Sequence, residues 1–220
     1  MRSPEICACI VSPEDVYAAV AVRDKVSLYE VRIDLIGEEW PRVAAALSLP
    51  WIACNRMASQ GGSFDGDEAA RLEALHQAVE LGAAIVDIEM TAPGARTFIL
   101  GVKGKVRILV SDHDFEGTPG EEALVKVVER QKRLGADICK VVTTARSTED
   151  VVTVLRLARR FHSEDIVAFA MGPLGIASRV LAPFEGAAFT YAALAAGSEA
   201  APGQLTVDAL RAIYDAMGAK

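Results

Sequence analysis

Aromatic side chains are scarce in this chain: they make up 6% of it, although 51% is hydrophobic. Its core must therefore be built largely from Ala, Val, Leu and Ile, which suits layered α/β packing. An excess of basic charge is also lacking. The formal net charge is −7 and no basic cluster offsets it, which argues against a nucleic-acid partner. No apolar run approaches the ~18–20 residues that span a bilayer. The first residues lead into a short strand rather than a long apolar leader. A soluble, cytoplasmic protein with no membrane partner is expected. There are only four cysteines, Cys7, Cys9, Cys54 and Cys139. All lie in apolar strand-like runs, as reduced, buried thiols do. Cys7 and Cys9 alternate onto one strand face, but their spacing is not that of a zinc motif. Repeats, linkers and low-complexity stretches are absent as well, so one domain over residues 1–220 is the natural division.

What is present is an alternation of two patterns. Strand-like runs fall at 6–11, 27–33, 51–55, 84–89, 106–111, 137–142, 166–170 and 187–191. Helical patterns fall at 14–22, 40–47, 67–81, 94–101, 120–134, 148–161, 174–181 and 207–217. In the 67–81 segment, Ala70, Leu72, Leu75, Ala78 and Val79 are expected to form the apolar side. Gly82 and Gly135 stand where helix C-caps belong. Eight strands alternating with eight helices in 220 residues predict a compact, single-domain α/β fold, the (β/α)8 TIM barrel. A doubly wound open sheet is the competing architecture. It would favour a Gly-rich turn after the first strand, where this chain has Ser12, Pro13, Glu14 and Asp15. The least regular stretches, 58–66 and 192–204, both follow strands and so belong at the catalytic face.

In such a barrel the chemistry collects at the C-terminal ends of the strands. Lys140 lies within the apolar, strand-like run Ala136-Asp137-Ile138-Cys139-Lys140-Val141-Val142. A buried, unpaired ammonium is costly, and a lowered pKa relieves that cost by leaving a neutral amine able to attack a carbonyl. This points to a Schiff-base enzyme; a lysine that snorkels from a strand end is the plainer alternative. Of the three histidines, His76 lies mid-helix and His162 in a charged helix end. Only His113 ends a strand, one barrel unit before Lys140. Adjacent strands run about 4.8 Å apart, so one small substrate could touch both residues. A histidine can take and return protons near neutral pH, although a strand-end histidine can also serve only to cap a turn. Other strand ends supply Glu30 with Arg32, Arg56, Asp87 with Glu89, Met171 with the Ser178-Arg179 pair, and Tyr191.

These pieces occur together in one family. They are Glu30-Val31-Arg32-Ile33-Asp34; Arg56 with Gly61-Gly62; Val86-Asp87-Ile88-Glu89; Ser111-Asp112-His113-Asp114-Phe115; Gly135 through Lys140; Met171 through Arg179; and Ala201-Pro202-Gly203-Gln204. In order and extent the chain resembles the type I 3-dehydroquinate dehydratases of the shikimate pathway, which serves aromatic amino acid biosynthesis. The resemblance implies a TIM barrel and a lyase acting on the small molecule 3-dehydroquinate, with neither metal nor cofactor. It also implies a homodimer, since relatives are commonly dimers. Lys140 would form the Schiff base. His113 would be the general acid and base of a syn elimination of water. Arg179 would pair with the substrate carboxylate, and Gln204 would reach the same end from a closing loop. Glu30, Arg32 and Arg56 would hold ring hydroxyls, unless Glu30 and Arg32 merely pair with each other at the barrel mouth. Asp87 could orient the imidazole of His113. Met171 and Tyr191 would wall the substrate or simply pack.

Two positions depart from the family pattern. Gln60 stands where many relatives have a glutamate that assists His113, and an amide cannot titrate. Ala200 stands near the place of a substrate-contacting serine. Three other readings stay open from the residues alone. One is an aldolase-like Schiff-base barrel, which would favour a phosphate-binding turn late in the chain. Another is a metal-dependent barrel using Glu30, Asp34, Asp87, Glu89, Asp112, His113 and Asp114. The third is a barrel that binds a ligand without turning it over.

Overall fold

A computed structural model describes residues 4–219; the outermost ends of the 1–220 division lie outside the described residues. The strands are β1 (Ile6–Ile10), β2 (Leu28–Arg32), β3 (Trp51–Cys54), β4 (Ile85–Glu89), β5 (Arg107–His113), β6 (Ile138–Thr144), β7 (Ile166–Met171) and β8 (Thr190–Ala193). The helices are α1 (Asp15–Ala21), α2 (Ile33–Ile36), α3 (Trp40–Ala45), α4 (Glu68–Glu80), α5 (Ala95–Val102), α6 (Glu121–Leu134), α7 (Thr148–Arg160), α8 (Ile176–Leu181) and α9 (Val207–Ala216). Successive strands pair in parallel from β1 to β7, and β8 pairs with β1. Across the remaining seam, the Ala188 N–H donates to Ile166 O at 2.7 Å, and Phe169 meets Tyr191 edge-on, with ring centroids 6.0 Å apart. This is the eight-stranded parallel barrel with an outer layer of helices. Among the described residues, no helix is long and apolar enough to cross a membrane.

The barrel interior explains why the strands read as nearly continuous apolar runs. Side chains alternate in and out along each strand. The outward set packs under the helices, as Val110 and Val86 do. The inward set fills the lower barrel with Cys7, Leu28, Ile52, Ile85, Leu109, Ile138, Val167 and Phe189. Two residues further along β2, β4, β5 and β6, the same inward face turns polar: Glu30, Asp87, Ser111 and Lys140 are all buried there. The barrel thus carries an apolar floor and a charged upper layer.

Three boundaries differ from expectation. Strands β5 and β6 run on to His113 and Thr144, because His113 pairs with Val142 and β6 goes on pairing with β7 as far as Thr144 and Met171. His113 is therefore the last residue of a strand, and Lys140 sits well inside one. Strand β8 begins at Thr190, later than the sequence pattern indicates. Gly186 takes a positive φ of 103° to leave the preceding turn, and the register with β1 starts at Ile6 and Thr190. In α4 the buried residues are Arg71, Leu75 and Ala78. The apolar pattern set the face one residue away from Arg71, since a fully buried arginine is not expected.

Candidate active site

Lys140 is 5% exposed. Its Nζ lies 3.0 Å from Asp87 Oδ2 and 3.6 Å from Glu30 Oε1, and 4.4 Å from the centre of the Tyr191 ring. Burial alone would lower its pKa, but the two carboxylates outweigh burial and hold it above the ordinary lysine value. The resting residue is therefore an ammonium, and the expectation of a neutral buried amine is corrected. The cause is charge pairing, which offsets the desolvation that drives neutralisation.

Asp87 is a hub. It accepts from Arg56 Nη2 at 2.5 Å, from Ser111 Oγ at 2.6 Å and from Lys140. Burial pushes its carboxyl up, yet Arg56 and Lys140 hold it well below the usual carboxylate range. Among the described residues no hydrogen bond joins Asp87 to His113, so Asp87 does not orient the imidazole by contact. Gln60 does. Its Oε1 accepts the His113 backbone N–H at 3.0 Å and lies 3.2 Å from Nδ1. Nδ1 is then the protonated nitrogen, and Nε2 carries the lone pair. Burial, with Arg56 and Lys140 nearby, lowers the His113 pKa well below its usual value. The ring is neutral at physiological pH.

The arginines divide into engaged and free. Arg32 grips Asp34 through two bonds, at 2.9 and 2.6 Å, rather than pairing with Glu30. Arg56 is held by Asp87, Ser111 and Glu89. Glu89 in turn receives Arg71 at 2.8 Å, and Arg71 reaches Glu68 near the surface. This string of alternating charge, from Lys140 to Glu68, went unread in the sequence. Its only signal was an arginine next to the apolar positions of α4. Arg179 is different. It is 1% exposed, stacks 4.2 Å over the Phe169 ring and donates to Pro202 O at 3.2 Å. Its buried Nε has no partner, and no carboxylate of the described residues pairs with it. Burial depresses its pKa to about 10, and it remains charged at neutral pH.

Most of the candidate residues meet at one pocket at the C-terminal ends of the strands. Lys140, His113, Glu30, Arg32, Arg56 and Arg179 line it. So do Gln60, Met171, Tyr191, Ala200 and Gln204. Asp87 lies beneath, at 1% exposure. Cys9, Cys54, Phe115 and Phe169 also face the pocket; sequence reasoning gave them no place in it. Gln204 is anchored from both sides, donating to Cys9 Sγ at 3.1 Å and accepting from Ala200 N at 2.7 Å.

For a metal, the ligand atoms of Glu30, Cys54 and Asp87 come within 4.8 Å of one another. The residues fit an ion poorly. The Lys140 ammonium lies against both carboxylates, Arg56 is bonded to Asp87, and burial raises the Cys54 thiol well above its ordinary pKa. Of the other carboxylates considered, Asp34 and Glu89 are held by arginines, Asp114 caps backbone N–H groups, and Asp112 is not among the residues brought together.

A parallel eight-stranded barrel that gathers an amine, an imidazole and an unpaired guanidinium around one pocket at the C-terminal ends of its strands belongs to the (β/α)8-barrel enzymes. The model of one family, the type I 3-dehydroquinases, matches residues 6–220. The chain belongs to that family. It is 37% identical over 214 residues to a 3-dehydroquinate dehydratase of Dehalococcoides mccartyi strain CBDB1, covering 97% of this chain and 96% of the relative. Among solved structures, 3-dehydroquinate dehydratase from Geobacillus kaustophilus superposes with a TM-score of 0.85 at 25% identity, over 98% of this chain and 91% of that one. A type I enzyme from Clostridium difficile, solved with covalently modified comenic acid, gives a TM-score of 0.86 at 22% identity, over 99% and 93%.

Proposed function

We propose that this hydro-lyase converts 3-dehydroquinate to 3-dehydroshikimate through an imine on Lys140, with His113 moving the protons. The observation that carries the reading is one pocket lined by a buried lysine, a neutral histidine and a buried arginine that has no counter-ion among the described residues. Arg179 suits the substrate carboxylate, because a planar fork already stripped of water gains charge-assisted hydrogen bonds without further desolvation. The C3 ketone is then directed toward Lys140. An iminium at C3 draws electrons from C2, so the C2 proton becomes removable. The free Nε2 of His113 takes that proton and returns it to the C1 hydroxyl as it departs. One base working on one face accounts for a syn elimination. Hydrolysis of the imine releases the product.

Gln60 holds the ring so that Nε2, not Nδ1, carries the lone pair. Gln204 closes the carboxylate end, and Arg32 and Arg56, already engaged by acids, shape the wall rather than supply free charge. Ring hydroxyls can still bond to their remaining N–H groups and to Glu30. The four free, buried cysteines suit a reducing, cytoplasmic setting, and a homodimer is the assembly that family membership favours.

The reading is tested by following the ultraviolet absorbance of the conjugated product with purified protein. Turnover is expected for the wild type. Arg179→Gln should lower kcat/KM about 10–100-fold, as loss of a charged hydrogen bond does. No turnover by folded wild type, or an Arg179→Gln variant with unchanged kcat/KM, would contradict it.

A further inference from the structure

We infer that Glu30 is a catalytic residue of imine formation: its free carboxylate oxygen takes the proton that the Lys140 ammonium must lose, then delivers it to the oxygen leaving the ketone. This rests on the imine reading above.

Two carboxylates face Lys140 Nζ, Asp87 at 3.0 Å and Glu30 at 3.6 Å, and their surroundings differ. Asp87 is bonded to Arg56 and Ser111 as well as to the lysine. An oxygen so well supplied with donors is a poor proton acceptor. Among the described residues Glu30 has no arginine partner, because Arg32 turns to Asp34. Among the described residues its Oε2 receives the Cys9 thiol alone, at 3.5 Å. Its Oε1, the atom nearest Lys140, is buried without any hydrogen bond. A buried acceptor left unpaired is uncommon and calls for a reason. Around it stand Cys7, Cys9, Cys54 and Tyr191, each with its pKa raised chiefly by burial and so neutral. The other base in the pocket, His113, is held neutral and weakly basic and is needed at C2.

The step balances. A Lys140 N–H bond breaks and its proton moves to Glu30 Oε1. The neutral amine adds to the ketone carbon, forming a C–N bond while the C=O π pair moves to oxygen. A second N–H proton passes to that oxygen, giving a neutral carbinolamine. Glu30 then protonates the hydroxyl, the C–O bond breaks, water leaves, and the nitrogen lone pair closes the iminium. The carboxylate is restored. The positive charge that began as ammonium remains beside Asp87 as iminium.

The test is rapid-quench trapping with borohydride at saturating 3-dehydroquinate, measuring adduct formation in the first turnover for the wild type, Glu30→Gln and Glu30→Asp. Glutamine keeps the volume but cannot carry the proton. Its adduct formation is expected to slow by roughly 10²-fold or more, the span of general acid–base effects. Aspartate should recover part of the rate. Were Glu30 only an anchor for a ring hydroxyl, glutamine would raise KM and leave the saturated rate unchanged. Were it only a counter-charge, its removal would free the amine and speed trapping. Either result overturns the proposal. Should glutamine prevent folding, Glu30→Asp decides alone, and a wild-type rate there overturns it. Absence of any adduct in the wild type instead sinks the imine reading and is recognised separately.

Discussion

Single residues in this site are governed by which charges have partners. Lys140 could be picked out in the sequence because a lysine inside an apolar strand is rare. Its protonation state could not, because Asp87 and Glu30 reach it from distant strands. The same holds for His113: its place in the chain is visible, but the contact with Gln60 arises only when the loop after β3 folds over β5. That contact makes a prediction. His113 is held below its ordinary pKa by burial, Arg56 and Lys140, so as a base it stays competent below pH 6.5, and the acid limb of kcat/KM should lie below the usual histidine value. Gln60→Glu places a carboxylate against Nδ1 and favours the charged ring. The acid limb should then move to higher pH by about one unit or more, as a pH–rate profile would reveal. An unmoved limb would mean that Gln60 does not govern the ring. Arg71 marks the opposite limit of sequence reading. Nothing in an apolar periodicity announces that a buried face can be built around a guanidinium, because two of its partners, Asn55 and Glu89, come from distant parts of the chain.

Elements position these residues through simple repeats. Strand alternation puts Glu30 and Arg32, or Lys140 and Val142, on one face, so the order of strands nearly fixes the roster of the pocket. That is why most of the site could be named from strand ends alone. Loops are less legible, since their paths depend on contacts with other elements. The segment after β8 is tied to the end of β7: Gly172 N–H and Arg179 both donate to Pro202 O. Gly203 has a φ of 77°, and a Cβ there would come within 2.6 Å of Gly172 O. Gly203→Ala should therefore lift this segment and detach Gln204. We expect kcat/KM to fall about tenfold with melting temperature nearly unchanged; full activity would show that the segment's placement is irrelevant. Helix α7 offers a contrast in which stability moves and activity does not. Ser147 and Asp150 form a complete capping box at its start. Ser147→Ala should cost about 1 kcal/mol, or ~2–4 °C of melting temperature for a chain of this size, with kcat/KM unchanged.

At the scale of the whole molecule, the barrel places a buried charge layer on an apolar floor, and this couples folding to pH. Asp87 has a lowered native pKa, so its stabilisation is present above the unfolded value near 3.9. It is lost as pH falls through the lower native value. His113 adds an earlier loss. Below about pH 6.5 the unfolded chain binds a proton on His113 that the native ring refuses, and stability drops on acidification. Melting temperature should therefore decline from about pH 6.5 downward. His113→Asn should flatten the first part of that decline; an identical slope would place its origin elsewhere. The architecture itself was legible, because eight alternating units in 220 residues leave few ways to bury so many Val, Ile and Ala side chains. The charge network was not, because periodicity records burial and says nothing of which buried charges meet. The most direct test of the Lys140 imine uses the intact protein: incubation with 3-dehydroquinate and sodium borohydride, followed by mass spectrometry of the whole chain and of its peptides. A reduced adduct on the peptide containing Lys140, absent from Lys140→Ala, is the expected result. Unmodified wild-type protein, or an adduct that persists in Lys140→Ala, would contradict it.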